Sequence, residues 1–315
     1  KIIIHKPLWL VGDRNDTAQE NGLYFFRYIK REQKNENAYY IIDKKSPDCD
    51  LLKDFGNVVD FNSHSHKILY FMTKYYVTAH NHFCKPATYF GKKQMAMRKK
   101  TLNVFLDHGI TYADVSEFYG KKNSGIDLFI CGAKPEYDHV VKAFGYEKNE
   151  VAYTGFARFD GLHNIQSKNQ ILVMPTWRRD IYDLKKQNLS NKKESFKNSN
   201  YYKTFQSLIN NEDLLNMLER FNYQLIFYPH YEIQDFLDCF SSTNNNVILA
   251  SKNDYKVQEL LKEAALLIVD TSSVSFDFAY MFKPLIYFRF DKETFTNEHL
   301  NPGYFKHETM GFGPV

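Results

Sequence analysis

Several polar residues in this chain stand where a short apolar run ends, and their types suit proton transfer and phosphate binding. His108 follows Phe105-Leu106-Asp107 and precedes Gly109. A histidine there can take a proton from a hydroxyl, and glycine permits a sharp turn or a close-lying ligand; a histidine that merely caps a turn has the same pattern. His230 follows Pro229 at the end of another run, and proline fixes the local backbone so that the ring is aimed. Arg178, beside Arg179 and Asp180, follows Pro175-Thr176-Trp177. Its guanidinium reads as a phosphate clamp or as a surface ion pair. Asp270-Thr271-Ser272-Ser273 ends the apolar run 265–269 and precedes an amphipathic stretch, 274–282. A helix starting there aims backbone N–H groups and a positive dipole end at an anion, and two hydroxyls add donors; an ordinary cap without a ligand fits the same residues. Asp13 and Arg14, in the polar loop after a first apolar run, complete the set.

These residues need a scaffold of strand ends. The spacing predicts strands over 7–11, 38–42, 56–61, 75–78, 103–106, 127–131 and 151–154, then 171–174, 224–228, 247–250, 265–269 and 284–290. Helical patterns fall over 21–32, 65–73, 135–144, 202–221, 257–264 and 274–282, while the Lys-, Asn- and Ser-rich stretch 183–200 reads as a flexible loop. Short apolar strands alternating with helices, in two consecutive sets, predict an α/β protein of two Rossmann-like domains with parallel sheets, 1–165 and 166–315. In such folds ligands bind beyond the carboxyl ends of the strands. Two such domains facing each other across a cleft would gather Asp13, Arg14, Asp107, His108 and Gly109 with Arg178, His230 and the 270–273 turn.

Other classes are weakened by composition. Lys plus Arg is 41 and Asp plus Glu 37, a net charge of +4, too mild to indicate a nucleic-acid partner. The four cysteines show no CxxC spacing, which fits neither a zinc knuckle nor a disulfide framework and favours a reducing, cytoplasmic setting. No run approaches the roughly 18 apolar residues of a membrane span. His64-Ser65-His66 and His80-Asn81-His82 resemble metal pairs, but no third ligand has a fitting spacing. P-loop and dinucleotide glycine patterns do not occur. No metal or cofactor is therefore expected to be required, with room only for a weak Mg²⁺ effect. Lys92, Lys93, Arg98, Lys99 and Lys100 form a basic run, either a solvated loop or a peripheral contact with anionic lipid or polyphosphate at the inner membrane face.

Taken in order, 105–110 (Phe-Leu-Asp-His-Gly-Ile), 153–160 (Tyr-Thr-Gly-Phe-Ala-Arg-Phe-Asp), 174–178 (Met-Pro-Thr-Trp-Arg), Tyr228-Pro229-His230, 270–277 (Asp-Thr-Ser-Ser-Val-Ser-Phe-Asp) and Lys283-Pro284-Leu285-Ile286-Tyr287 resemble the CDP-glycerol glycerophosphotransferase family, the teichoic-acid and capsule polymerases and primases. Glu20-Asn21-Gly22 and Gly311-Phe312-Gly313-Pro314 also look like it. The resemblance implies a GT-B arrangement and transfer of glycerol phosphate or ribitol phosphate from a CDP-polyol to a hydroxyl of a polyol-phosphate or glycan acceptor, which is lipid-linked in some cases, with release of CMP. It makes the first domain the acceptor side and the second the donor side. His108 then matches the histidine of a His-Gly pair, a base, and His230 that of a Pro-His pair. Ser272 and Ser273 match serines on the donor phosphates, with Asp270, Thr271 and Arg178 beside them, and Asp13, Arg14, Asp107 and Gly109 fall on the acceptor side. Asp107 stands where many members have Trp or Gln, and Tyr231 where many have Pro; both bear on acceptor choice. Two other functions remain open to the residues: a GT-B glycosyltransferase using a nucleotide sugar, and a non-catalytic polyanion-binding module.

Overall fold

The computed structural model describes residues 6–81, 84–86, 101–163, 166–186, 191–293, 295 and 302–315. The chain divides into two compact units, Lys1–Gly161 and Leu162–Val315.

Unit 1 holds β1 (Trp9–Gly12), α1 (Asn21–Arg31), β2 (Ala38–Ile42), β3 (Val58–Asp60), α2 (His64–Met72), β4 (Tyr75–Thr78), β5 (Leu102–Phe105), the short α3 (Ser116–Tyr119) and α4 (Lys121–Ser124), β6 (Leu128–Cys131), α5 (Lys134–Ala143) and β7 (Val151–Tyr153). Its strands form one parallel sheet in the order β3-β2-β1-β4-β5-β6-β7. Leu10, at its centre, is paired with Tyr39 on one side and Tyr76 on the other. Strands covered on both faces read as continuous apolar runs rather than alternating ones, as Ala38-Tyr39-Tyr40-Ile41-Ile42 does. On α1, Leu23, Phe26 and Ile29 recur at helical spacing and are buried; Phe26 meets the Tyr40 ring at 5.3 Å.

The start of α1 is seated by Asp13, one residue past β1. Its carboxylate accepts from the backbone N–H of Gly22 (2.6 Å), Glu20 (2.9 Å) and Leu23 (3.3 Å) and from the Tyr40 hydroxyl (2.8 Å). Glu20 itself, at the N-cap, makes no side-chain cap. A Cβ on Gly22 would stand 2.5 Å from Asp13 Oδ1 and 2.6 Å from the Gly12 carbonyl oxygen, so only glycine lets the helix approach the strand end this closely.

Unit 2 holds β8 (Gln170–Val173), α6 (Arg179–Lys186), α7 (Lys192–Asn198), α8 (Asn200–Leu208), α9 (Glu212–Phe221), β9 (Gln224–Phe227), β10 (Val247–Leu249), α10 (Val257–Glu263), β11 (Leu266–Val269), α11 (Val274–Tyr280), β12 (Leu285–Tyr287) and α12 (His307–Met310). Its parallel sheet runs β10-β9-β8-β11-β12. Lys283 donates to the carbonyls of Leu261, Lys262 and Ala264 and so closes the end of α10. The C-terminal segment lies on the edge strand, where the Tyr287 N–H donates to the Pro314 carbonyl at 2.8 Å.

Two expectations are corrected here. The described residues of the stretch 183–200 are largely helical: α6 runs to Lys186 and α7 spans Lys192–Asn198. Phe196 of α7 is fully buried and stacked 4.5 Å from Phe236; one buried aromatic holds a helix whose other residues carry the solvent-facing charge that made it look like a linker. The expected long helix 202–221 is two helices, α8 and α9. The break falls at Ile209-Asn210-Asn211, where the Asn211 side chain accepts from the Leu214 N–H at 2.9 Å and starts α9 afresh.

Asp13→Ala orphans buried donors at the start of α1. Each unsatisfied buried group costs about 1–3 kcal/mol, so thermal unfolding should show a large drop in Tm. A melting curve like that of the wild type would mean that α1 is seated by packing alone.

Candidate functional site

Each sheet reverses its strand order at one place, β1/β4 in unit 1 and β8/β11 in unit 2, and in open α/β sheets ligands bind at such points beyond the carboxyl ends. The polar residues singled out above lie at or beside these ends.

In unit 1, β5 leads into Asp107, which adopts a left-handed backbone conformation, φ +55°, tolerated by Asp better than by most residues. The turn folds its carboxylate over the next peptide. Oδ1 accepts from the His108 backbone N–H at 2.6 Å and lies 3.1 Å from His108 Nδ1, while Oδ2 accepts from the Thr111 hydroxyl at 2.7 Å. The imidazole proton therefore belongs on Nδ1, which leaves the Nε2 lone pair as acceptor. Partial burial pulls the pKa of His108 down, but the hydrogen bond and charge of Asp107, with Glu20 adding to them and Arg158 opposing, hold it above its usual value. The ring keeps 41% of its surface exposed while Asp107 has none. His80, just past β4, stacks on His108 with centroids 4.4 Å apart and planes at 24°.

Asn21 ties this loop to the rest of unit 1. Its amide donates to the carbonyls of Asp107 (2.8 Å) and Leu106 (3.3 Å), and its oxygen accepts from the Arg158 N–H at 3.0 Å. Buried Arg158 lies between the rings of Phe156 and Phe159, 3.8 Å from Glu20. Glu136, buried in the first turn of α5, accepts from Thr111 N (2.5 Å), Gly132 N (2.6 Å) and Ala133 N (3.3 Å). Asn21, His80, Thr111, Glu136 and Arg158 were not singled out from sequence as site residues. Asn21 and Arg158 fall inside the motifs that carry the family resemblance, and Glu136 stands three residues after a helix start.

Asp13 is fully buried, and its oxygens accept from the start of α1 and from Tyr40, so it supports the fold. Burial lifts its pKa to about 6, against the lowering effect of the backbone N–H groups and Tyr40. Arg14 lies 3.6 Å from Asp16, and Gly109 is buried in the turn after His108.

In unit 2, Arg178 and Asp270 meet where β8 and β11 end. Arg178 is 6% exposed. Its Nε and Nη2 make a fork on Asp291 (2.8 and 2.9 Å), Nη2 also lies 2.8 Å from Asp270 Oδ2, and Nη1 donates to the carbonyls of Thr176 (2.9 Å) and Trp177 (3.3 Å). All five guanidinium N–H groups are thereby matched by protein acceptors. Asp270 also accepts from Thr176 N, Thr176 Oγ1 and Thr271 N. Burial opposes both charges, yet the pair keeps the Asp270 carboxyl below its usual range and Arg178 above its own. Arg178 thereby fastens Asp270, the 176–177 turn and Asp291 to one another. Phe295, 4.5 Å away, covers the guanidinium.

Ser273 is the N-cap of α11 but makes no side-chain cap, and Ser272 Oγ reaches Val274 N only at 3.5 Å, so capping uses little of either hydroxyl. Thr271 is buried. His230 caps the helical turn Tyr231–Cys239, its Nδ1 accepting from the Glu232 N–H at 3.2 Å. That places the proton of the neutral ring on Nε2, the reverse of His108. His66 is a core residue whose Nδ1 accepts from Asn62 N. Among the described residues no three His, Cys, Asp or Glu side chains are grouped to hold a metal, and no helix is long and apolar enough to cross a membrane. His82 and the basic run Lys92, Lys93, Arg98, Lys99 and Lys100 lie outside the described residues.

The comparisons with known proteins agree over the whole chain. A family model described as CDP-Glycerol:Poly(glycerophosphate) glycerophosphotransferase matches residues 2–315. The chain is 36% identical to the minor teichoic acid biosynthesis protein GgaB of Bacillus subtilis (strain 168), an alignment that takes in 100% of this chain and 35% of that protein; it thus spans about a third of that relative's length. It is 28% identical to the teichoic acid poly(glycerol phosphate) polymerase of Bacillus spizizenii, across 94% of this chain and 76% of the other. Among solved structures, a variant of the wall teichoic acid polymerase TagF soaked with CDPG superposes with a TM-score of 0.68 at 17% identity, over 98% of this chain and 76% of the other. That likeness establishes the fold as GT-B-like.

Arg178→Met leaves buried Asp270 and partly buried Asp291 without their counter-ion, at a cost of about 3–5 kcal/mol. Arg178→Lys should restore little, because an ammonium cannot make the fork. Calorimetric unfolding checks both. A normal Tm combined with lost nucleotide affinity would return Arg178 to the phosphate site.

Proposed function

Because this chain belongs to the CDP-glycerol:poly(glycerophosphate) glycerophosphotransferase family, we propose that it transfers glycerol phosphate from CDP-glycerol to a hydroxyl of a teichoic-acid acceptor, releasing CMP. The observation that carries the chemistry is the His108–Asp107 pair, with Nδ1 on the carboxylate at 3.1 Å and Nε2 left basic on a ring still 41% exposed. His108 accepts the proton of the acceptor hydroxyl through Nε2. The new bond joins that oxygen to the phosphorus bearing glycerol. The bond from this phosphorus to the bridging oxygen breaks, and CMP leaves with the electron pair. Such a displacement needs positioning and charge stabilisation more than covalent help from the protein.

Unit 2 supplies the donor groups in this reading. His230, its Nδ1 occupied by the Glu232 N–H, offers Nε2–H to a phosphate oxygen. Ser272 and Ser273 offer hydroxyls little used in capping. Arg178 and Asp270 hold the turn that presents them. The finer reading takes a lipid-linked polyol-phosphate or glycan acceptor, reached in the cytoplasm at the inner face of the membrane. Its support is the basic charge of 92–100 in the sequence and the four unpaired cysteines, in keeping with a reducing compartment.

Incubation with CDP-glycerol, CDP-ribitol and a panel of nucleotide sugars, followed by mass spectrometry, should show CMP released from CDP-glycerol. Release of a nucleoside diphosphate from a nucleotide sugar would make the protein a glycosyltransferase. Binding without turnover would make it a polyanion-binding module.

His108→Ala should lower kcat by about 10²–10⁴-fold, the range for general-base catalysis, with donor affinity largely kept. The base works deprotonated, and Asp107 raises its pKa. Wild-type kcat/KM should therefore climb with pH through an apparent pKa above 6.5 and then level off. Asp107→Asn should move that rise to lower pH while depressing the plateau. A profile that Asp107→Asn leaves in place would remove His108 from the proton transfer.

A further inference from the structure

The carboxylate that orients His108 is itself held on its far side. Asp107 has no exposed surface, and Oδ1 already serves both the backbone N–H and the ring of His108. Oδ2 is held by the Thr111 hydroxyl at 2.7 Å. Thr111 is in turn seated by Glu136, which accepts its backbone N–H at 2.5 Å while bracing Gly132 and Ala133 past the end of β6. Gly132 makes the approach possible: a Cβ there would stand 2.6 Å from Ile110 Cδ1 and 2.8 Å from the Phe156 ring. Four side chains thus stand in series, Glu136, Thr111, Asp107 and His108, and they join the loop after β5 to the start of α5.

We propose that Thr111 is a positioning residue for His108, its hydroxyl pinning Asp107 Oδ2 so that Oδ1 stays on the ring Nδ1–H. The proposal rests on the reading of His108 as the base. The physical reason is the cost of an unsatisfied buried carboxylate oxygen. Without the hydroxyl, Asp107 turns its oxygens to share the remaining donors or takes up a proton. Either response loosens the hold on Nδ1 and lets the imidazole proton move to Nε2, which removes the lone pair the reaction uses. Among the described residues, His80 from the end of β4, Glu20 from the start of α1 and Arg158 also stand around the ring, while Glu136, Tyr119 and Cys131 lie within electrostatic reach of Asp107. None of these donates to Oδ2 among the hydrogen bonds of the described residues, so the hydroxyl is the lever on this oxygen.

The test pairs Thr111→Val, which keeps the shape and removes the hydroxyl, with Thr111→Ser, which keeps the hydroxyl. Steady-state kinetics with CDP-glycerol and acceptor is read alongside heteronuclear NMR of the His108 ring nitrogens, on the full chain and after a melting curve. Thr111→Val should lower kcat by about 10–100-fold, the loss of one hydrogen bond to a charged group, with donor KM little changed and the Nδ1–H tautomer no longer dominant. Thr111→Ser should return both to near wild type. Wild-type kcat and tautomer in a folded Thr111→Val protein would overturn the proposal. Should Thr111→Val fail to fold, the wild-type spectrum decides: a His108 ring protonated on Nε2 alone would overturn it, and a ring protonated on Nδ1 that Thr111→Ser preserves would support it. His108→Ala separates the two readings. If that variant turns over normally, the base assignment falls, while a tautomer change in Thr111→Val still reports the pinning.

Discussion

Buried carboxylates at the carboxyl edges of the two sheets are the constraint on which the rest depends. A parallel strand that ends beneath a loop leaves backbone N–H groups with no ladder partner, and burying them unpaired is costly. Asp13 past β1, Asp107 past β5, Asp270 past β11 and Glu136 at the start of α5 each accept two or more such groups or their side-chain neighbours. The loops that carry His108 and Ser272–Ser273 are thereby shaped by acids that solvent barely reaches. Their oxygens are taken up by the loops' own donors, and so they set where the loops go.

The two histidines show what this shaping does. The same side chain is held through Nδ1 in both units, but in opposite senses. Asp107 accepts a hydrogen bond from Nδ1–H of His108, whereas the Glu232 N–H donates one to Nδ1 of His230. One ring is left with a basic Nε2 and the other with a donating Nε2–H. Hydrogen-bond partners thus set the tautomer of each ring, with no difference in residue type.

Much of the architecture was legible because buried parallel strands and amphipathic helices leave strong patterns. The strands at 38–42 and 75–78 were read to the residue. Failures came where one residue outweighs composition: Phe196 anchors a helix in a Lys- and Asn-rich stretch, and Asn211 restarts a helix within an unbroken periodic run. For the candidate site, residue type located the turns but could not assign roles. Arg178 and a ligand-binding arginine look alike in sequence, since the partner that occupies it, Asp291, lies over a hundred positions away. Asp13 and Asp107 were noticed as acids, while their burial, which decides what they do, depends on neighbours from α1, β2 and the 111 turn.

The strand orders also bear on how the chain acquires its shape. Of the described strands, the earliest in each sheet lies inside: β1 sits between β2 and β4, and β8 between β9 and β11. Each sheet therefore grows outward on two sides from that strand, and every pairing waits for a crossover to be completed. Leu10 is flanked by Tyr39 early but by Tyr76 only after the whole of α2 has been made. Until then β1 presents a naked apolar edge, the kind of surface on which nascent chains adhere to one another. A pause in synthesis between β2 and β4 would prolong that exposure in unit 1, and one between β9 and β11 would do so for β8 in unit 2.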